Sequence, residues 1–178
     1  MEEWKASLKD WKSVSIEMAN LFLSQSEKYL DETVKTFENS SRKTNQLLTI
    51  SISIITFSLS YLFDFKSREI DLILIALFSL IISMFSILVL YKNLFFDQIG
   101  VKGNNPKNII KEKFIPRGIN SNEQYINLVL NVCETYQKRI TRNKEVNTKR
   151  NVRIKRATYL TLLLPVSIIL SKLITIFI

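Results

Sequence analysis

The 178-residue chain contains no histidine, one cysteine, three glycines and three prolines. Without histidine it lacks the commonest general base and the commonest metal ligand. A lone thiol, Cys133, forms neither an internal disulfide nor a cysteine-cluster metal site. All the glycines lie between Gly100 and Gly118, and no GxGxxG or GxxxxGK[ST] pattern is present to cradle a phosphate. The residues name no catalytic constellation, so the chain is expected to be no enzyme and to carry no cofactor or metal. The opening MEEWKASLKDWK is acidic and amphipathic, unlike a secretory leader.

What is present is apolar residue in clumps. Gln46–Phe63, Leu72–Leu90 and Ala157–Ile178 hold most of the 47% hydrophobic content. The first of these, QLLTISISIITFSLSYLF, begins with the alternation of a strand. The phase slips at Ile54-Ile55, which would turn the later hydroxyls of a strand to the other face. On a helix Thr49, Ser53, Thr56 and Ser60 keep one face throughout, with Ser51 and Ser58 on the opposite side. Thr44–Phe63 spans roughly 30 Å as a helix, about one hydrocarbon core. A lone strand in lipid would leave its backbone groups unpaired. The reading is a transmembrane helix.

The second segment, LILIALFSLIISMFSILVL, repeats the device with Ala76, Ser79, Ser83 and Ser86 on one face. Only DFKSRE separates the two, which predicts a tight antiparallel hairpin. The third is expected to be kinked by Pro165, which removes a hydrogen bond and crowds the carbonyl of Thr161. The fold expected is therefore an all-α membrane protein with three transmembrane helices and a helical cytoplasmic region. Its parts are an amphipathic N-terminal helix over 1–43, a membrane hairpin over 44–91, a basic loop and long helix over 92–156, and a third span over 157–178. The stretch 92–156 carries fifteen positive and five negative residues, whereas the hairpin loop 64–69 is balanced. The excess of positive charge predicts a cytoplasmic 92–156 and N-terminus, and a C-terminus at the outer side of the membrane.

In the N-terminal part Trp4, Leu8, Trp11, Met18, Phe22 and Tyr29 follow a heptad-like seam that fits packing within the chain, an oligomer or the membrane interface. With no proline or glycine before Gly100, this helix is expected to run on into the first span. Ser121 reads as an N-cap, with Gln124 completing a capping box. One long helix then carries Lys138, Arg139, Arg142, Lys149, Arg150, Arg153 and Arg156 on about a third of its circumference. Arg150, Arg153 and Arg156 suit anionic lipid beside a span. Lys138, Arg139 and Arg142 lie roughly 20–27 Å from Arg156 along a straight helix. They fit either a solvated face or a phosphate-rich ligand, with Lys149 and Arg150 completing the candidate set.

The hydroxyls within the spans fit close helix packing or, for Thr49, Ser53, Thr56 and Ser60, the lining of a pore. Lys172 shares a face with Thr158, Thr161, Pro165 and Thr175. It either snorkels to the outer surface or stands at a pore mouth or a contact between subunits. Three spans without internal repeats are too few for a conventional transporter. A symmetric homo-oligomer in the lipid bilayer is the expected route to function.

This layout of helical N-terminus, short-looped hairpin and basic helical cytoplasmic part resembles the small membrane effectors of bacterial anti-phage systems, the SLATT proteins and the nucleotide-gated effector of Hailong-type defence. A third span departs from their plain two-span plan. The resemblance implies an oligomeric ion channel in antiviral defence. A nucleotide or oligonucleotide made by a partner enzyme would switch it, depolarising the host in abortive infection. Duplex nucleic acid is not expected as a ligand. A membrane adaptor or assembly subunit, and a ligand-independent holin-like pore, stand as the other readings.

Overall fold

The computed structural model describes residues 11–63, 69–95, 99–103 and 120–177. Every regular element among them is helical. A 3-10 turn, Trp11–Ser13, precedes α1 (Ile16–Phe63), which is followed by α2 (Ile70–Leu94), α3 (Ser121–Leu162) and α4 (Leu164–Phe177). Three stretches, within Ile16–Phe63, Ile70–Leu94 and Ser121–Ile174, are long and apolar enough to cross a membrane. Phe57, Leu88 and Ile169 are 76%, 60% and 61% exposed, and apolar surface of this kind suits hydrocarbon rather than water. A membrane location follows.

Local chemistry sets the helix ends. Ser15 starts α1: its carbonyl accepts from Ala19 N–H at 3.0 Å and its hydroxyl from Met18 N–H at 3.2 Å. The continuous N-terminal helix expected from residue 1 is thus interrupted before Ile16, while Trp4 and Leu8 lie outside the described residues. From Ile16 the helix does run unbroken into the first span, 48 residues in all. The cap of α3 is Asn120, one residue before the expected Ser121. Asn120 offers its carbonyl to Gln124 N–H at 3.0 Å and its side-chain oxygen to Asn122 N–H. Asparagine is at least as good a cap as serine, and here it comes first. Pro165 acts as expected: helix stops at Leu162, Leu163 N–H turns back to the Leu160 carbonyl at 3.0 Å, and α4 begins at Leu164.

The buried side of α3 is a heptad seam: Ile126, Val129, Cys133, Tyr136, Ile140, Asn143, Asn147, Arg150, Ile154 and Ala157. Steps of three and four keep these residues on one stripe of the helix. The buried side of α1 follows the same steps through Ala19, Leu30, Thr33, Ser40, Thr44, Ser51 and Ser58. That is not the seam expected from Met18 and Tyr29, which are 50% and 43% exposed. Trp11 and Phe22 of the expected seam do pack on the core, so the aromatic pattern marks the buried side only in part.

The chain divides into two compact units. The first joins Met1–Phe37 to Gln98–Asn147. Its core packs Val14 and Ala19 against Ile126, Val129 and Cys133, then Leu30 against Tyr136 and Ile140. Burying one such aliphatic side chain contributes about 1.5–3 kcal/mol. The second unit joins Glu38–Asp97 to Thr148–Ile178. There Leu48, Leu90, Ile154 and Ala157 form an apolar cluster, and α2 packs along α4. Beyond that cluster the interior is serine: Ser51, Ser58, Ser83, Ser86, Ser167 and Ser171 are all buried.

Candidate functional site

In the first unit Lys138 and Arg142 are exposed on the outer side of α3, opposite its seam. Arg139 is half-buried and turned sideways. Its guanidinium donates to the carbonyl oxygens of Val101, at 2.6 Å, and Gly103, and stands 5.7 Å from the Tyr136 ring centroid. The segment 99–103 is thereby strapped onto α3. Gly100 N–H donates to Asn143 Oδ1, and Asn143 Nδ2 returns a bond to the Gly100 carbonyl, both at 2.8 Å. Gly103 N–H donates to the Tyr136 hydroxyl at 3.2 Å, and Lys102 pairs with Asp31. The Asp31 carboxylate, as hydrogen-bond acceptor and charge, holds the Lys102 ammonium above the ordinary lysine range. Two glycines make the strap feasible. Gly103 adopts a φ of 87°, and a Cβ on Gly100 would stand 2.5 Å from the Arg139 Cβ. Asn143 also donates to Thr33 Oγ1 at 2.9 Å, and Asn147 to the Thr33 carbonyl at 2.8 Å, so the buried amides tie the two helices together.

In the second unit Lys149 is exposed, but its neighbour Arg150 is 2% exposed and lies in the seam. Arg150 was expected to face anionic lipid or a phosphate-rich ligand. It donates instead to Ser40 Oγ at 3.1 Å, to Ser41 Oγ at 2.9 Å and to the Asn93 carbonyl at 2.9 Å. The physical reason is the register: Arg150 continues the three-and-four spacing of Asn143 and Asn147. Asn93 sits in the last turn of α2, where carbonyls have no intrahelical partner and the helix end is electronegative. A guanidinium meets both needs. Arg153 donates to Asn93 Oδ1 at 3.0 Å, while Asn93 Nδ2 donates to Thr44 Oγ1 and the Arg150 carbonyl, each at 3.3 Å.

The hydroxyls expected to line a pore, Thr49, Ser53, Thr56 and Ser60, are all exposed on the outer side of α1. Thr49 and Thr56 donate to the carbonyls of Asn45 and Ile52 in their own helix, both at 3.0 Å. Ser53 also borders a groove of about 600 Å³ with Ile54, Phe57, Tyr61, Ile75 and Ser79. The opposite hydroxyls, Ser51 and Ser58, face inward. So do Ala76, Ser83 and Ser86 of α2, in keeping with close packing of that stripe. The hydroxyls of Ser51, Ser83 and Ser86 have no hydrogen-bond partner, whereas Ser167 and Ser171 donate to the carbonyls of Leu164 and Ile168.

Lys172 forms an ion pair with Asp71 in the first turn of α2. The Lys172 side chain is 61% exposed and that of Asp71 8%. The lysine is therefore neither buried nor left alone at the surface. The side chain of Thr175 lies outside the described residues.

The structure brings Lys138, Arg139 and Arg142 together on one stretch of α3, and withdraws Arg150 from that accessible face. Sequence reasoning missed Asn143, Asn147, Asn93, Thr33 and Ser40. For Asn143 and Asn147 a signal was available, since both fall on the spacing that runs from Ile126 to Ala157. No protein-family model, curated protein or solved structure matches the chain.

Proposed function

We propose that the protein is a homo-oligomeric effector of the bacterial inner membrane that conducts ions and is gated by a nucleotide-type polyanion. Its basic region faces the cytoplasm in this reading. The observation that carries it is the outward pair Lys138 and Arg142 on α3, a helix that continues without a break to Leu162. Charge-assisted bonds from such side chains suit phosphate oxygens. A ligand bridging these cations on neighbouring copies favours one arrangement of the α3 helices over another, and differential affinity is what shifts a gate. The exposed hydroxyls of α1 give a second copy, or water, a polar face to meet. Depolarisation of the host on infection is the output that the resemblance to anti-phage effectors implies.

The test uses the purified full chain in proteoliposomes, with ATP and a short single-stranded oligonucleotide as polyanion probes. The expected result is an oligomer in mild detergent and ion flux that changes with a probe. Lys138→Ala with Arg142→Ala should remove the response and keep the flux. A monomer without flux would leave the adaptor reading, and flux indifferent to every probe would leave the holin-like one.

A further inference from the structure

The interior of the second unit poses a problem that packing alone does not resolve. A membrane bundle closes well on small residues, but serine in a helix ordinarily discharges its hydroxyl onto a carbonyl one turn back. Ser167 and Ser171 do so. Ser51, Ser83 and Ser86, each 0% exposed, do not. These buried hydroxyls are left without a partner in their own helices or in any other.

Their positions follow from the register. Asn93 bonds to Thr44, which fixes α1 against α2 at one end of the seam. One heptad inward on each helix, about 10 Å, come Ser51 and Ser86, and Ser83 lies about one turn beyond. At the other end Ser171 adjoins Lys172, which is paired with Asp71. The unmet hydroxyls thus occupy the part of the seam nearer Asn93, while the buried hydroxyls of Ser167 and Ser171 are spent on their own helix. The Asn93 end is cationic, with Arg150 and Arg153, whereas at the far end Lys172 and Asp71 form a neutral pair.

We propose that this seam is an anion path internal to each chain, taking a small monovalent anion of the halide class from its cationic Asn93 end, with the Lys172–Asp71 pair standing at the other. Hydroxyl donors without acceptors are what a dehydrated anion needs. Cationic side chains at a pore entrance raise anion occupancy and repel cations. The structure shows the seam packed shut, and conduction requires α1 to part from α2. This inference rests on the conducting reading above and adds the ion and the route.

The experiment records currents from the full chain in planar bilayers under a KCl gradient, with and without ATP as the polyphosphate probe. The reversal potential is expected near the chloride equilibrium value. Ser83→Ala and Ser86→Ala should each lower chloride conductance about fivefold, the worth of one hydrogen bond. The same variants should unfold in detergent no more easily than the parent, because alanine fits and carries no unmet donor. Leu88→Ala, on the apolar outer side, should change nothing. Cation selectivity, or chloride current indifferent to both alanines, overturns the inference. Block by Ser53→Val or Ser60→Val with the seam variants silent places the route between copies, overturning this proposal and leaving the conducting reading intact. A chain that passes no current overturns both.

Discussion

Replacing Arg150 separates a structural role from a ligand-binding one. Its guanidinium donates to Ser40, Ser41 and the Asn93 carbonyl from a site only 2% exposed. A hydrogen bond from a charged donor contributes about 1.5–3 kcal/mol. Arg150→Ala removes three, strands the terminal carbonyl of α2 and opens a cavity that water fills in part. The three bonds are not additive, and a net loss of about 3–5 kcal/mol is expected, as for other buried charges torn from their partners. Arg150→Met keeps much of the volume and leaves chiefly the Asn93 carbonyl unmet, which costs about 1–3 kcal/mol. Exposed Lys149→Ala should stay within about 0.5 kcal/mol of the parent. The assay is unfolding in mixed detergent micelles, followed by circular dichroism. An Arg150→Ala variant as stable as Lys149→Ala, with a lost response to a polyanion, would refute the assignment of Arg150 to the seam.

Three further outcomes follow from the contacts. Gly100→Ala drives a Cβ to 2.5 Å from that of Arg139; it should release the strap at about 1–3 kcal/mol, seen as faster amide exchange over 99–103 with the helices still protected. Because the Lys102 pKa is raised by Asp31, its contribution is complete below the unfolded lysine value of 10.5 and is lost as pH rises through the higher folded value. An NMR titration should place Lys102 above exposed lysines, and Asp31→Asn should bring it back down. Finally, Lys172→Ala should destabilise more than Asp71→Ala. The first strands a carboxylate whose side chain is 8% exposed, while the second frees a lysine that already reaches solvent; equal losses in the same unfolding assay would contradict this asymmetry.

Much of the scaffold could be read from residue order. The spans, the continuity of α1 through its polar and apolar halves and the break ahead of Pro165 all rest on local properties: length, charge-free runs, and the missing N–H of proline; the connection over 64–68 lies outside the described residues. Cap position was legible only to within one residue, because Asn120 and Ser121 are both competent and the chain's entry into the helix chose the first. The N-terminal seam was legible only in part: Trp11 and Phe22 pack on the core around Val14 and Ala19, whereas Met18 and Tyr29 lie at the surface.

Residue order placed two hydroxyl faces on α1, Thr49–Ser53–Thr56–Ser60 and Ser51–Ser58, without ranking them, since a helix in isolation has no inside. Tertiary packing decided that Ser51 and Ser58 are interior. The same holds for the basic helix. Sequence alone determined that its cations cluster on one arc, because helical pitch fixes angles along a single rod. Only tertiary structure decided that Arg150 turns inward to the end of α2, Arg139 sideways to the strap, and Lys138 and Arg142 outward. Each side chain's role depends on which acceptors other segments bring within reach, and those segments are distant in the chain.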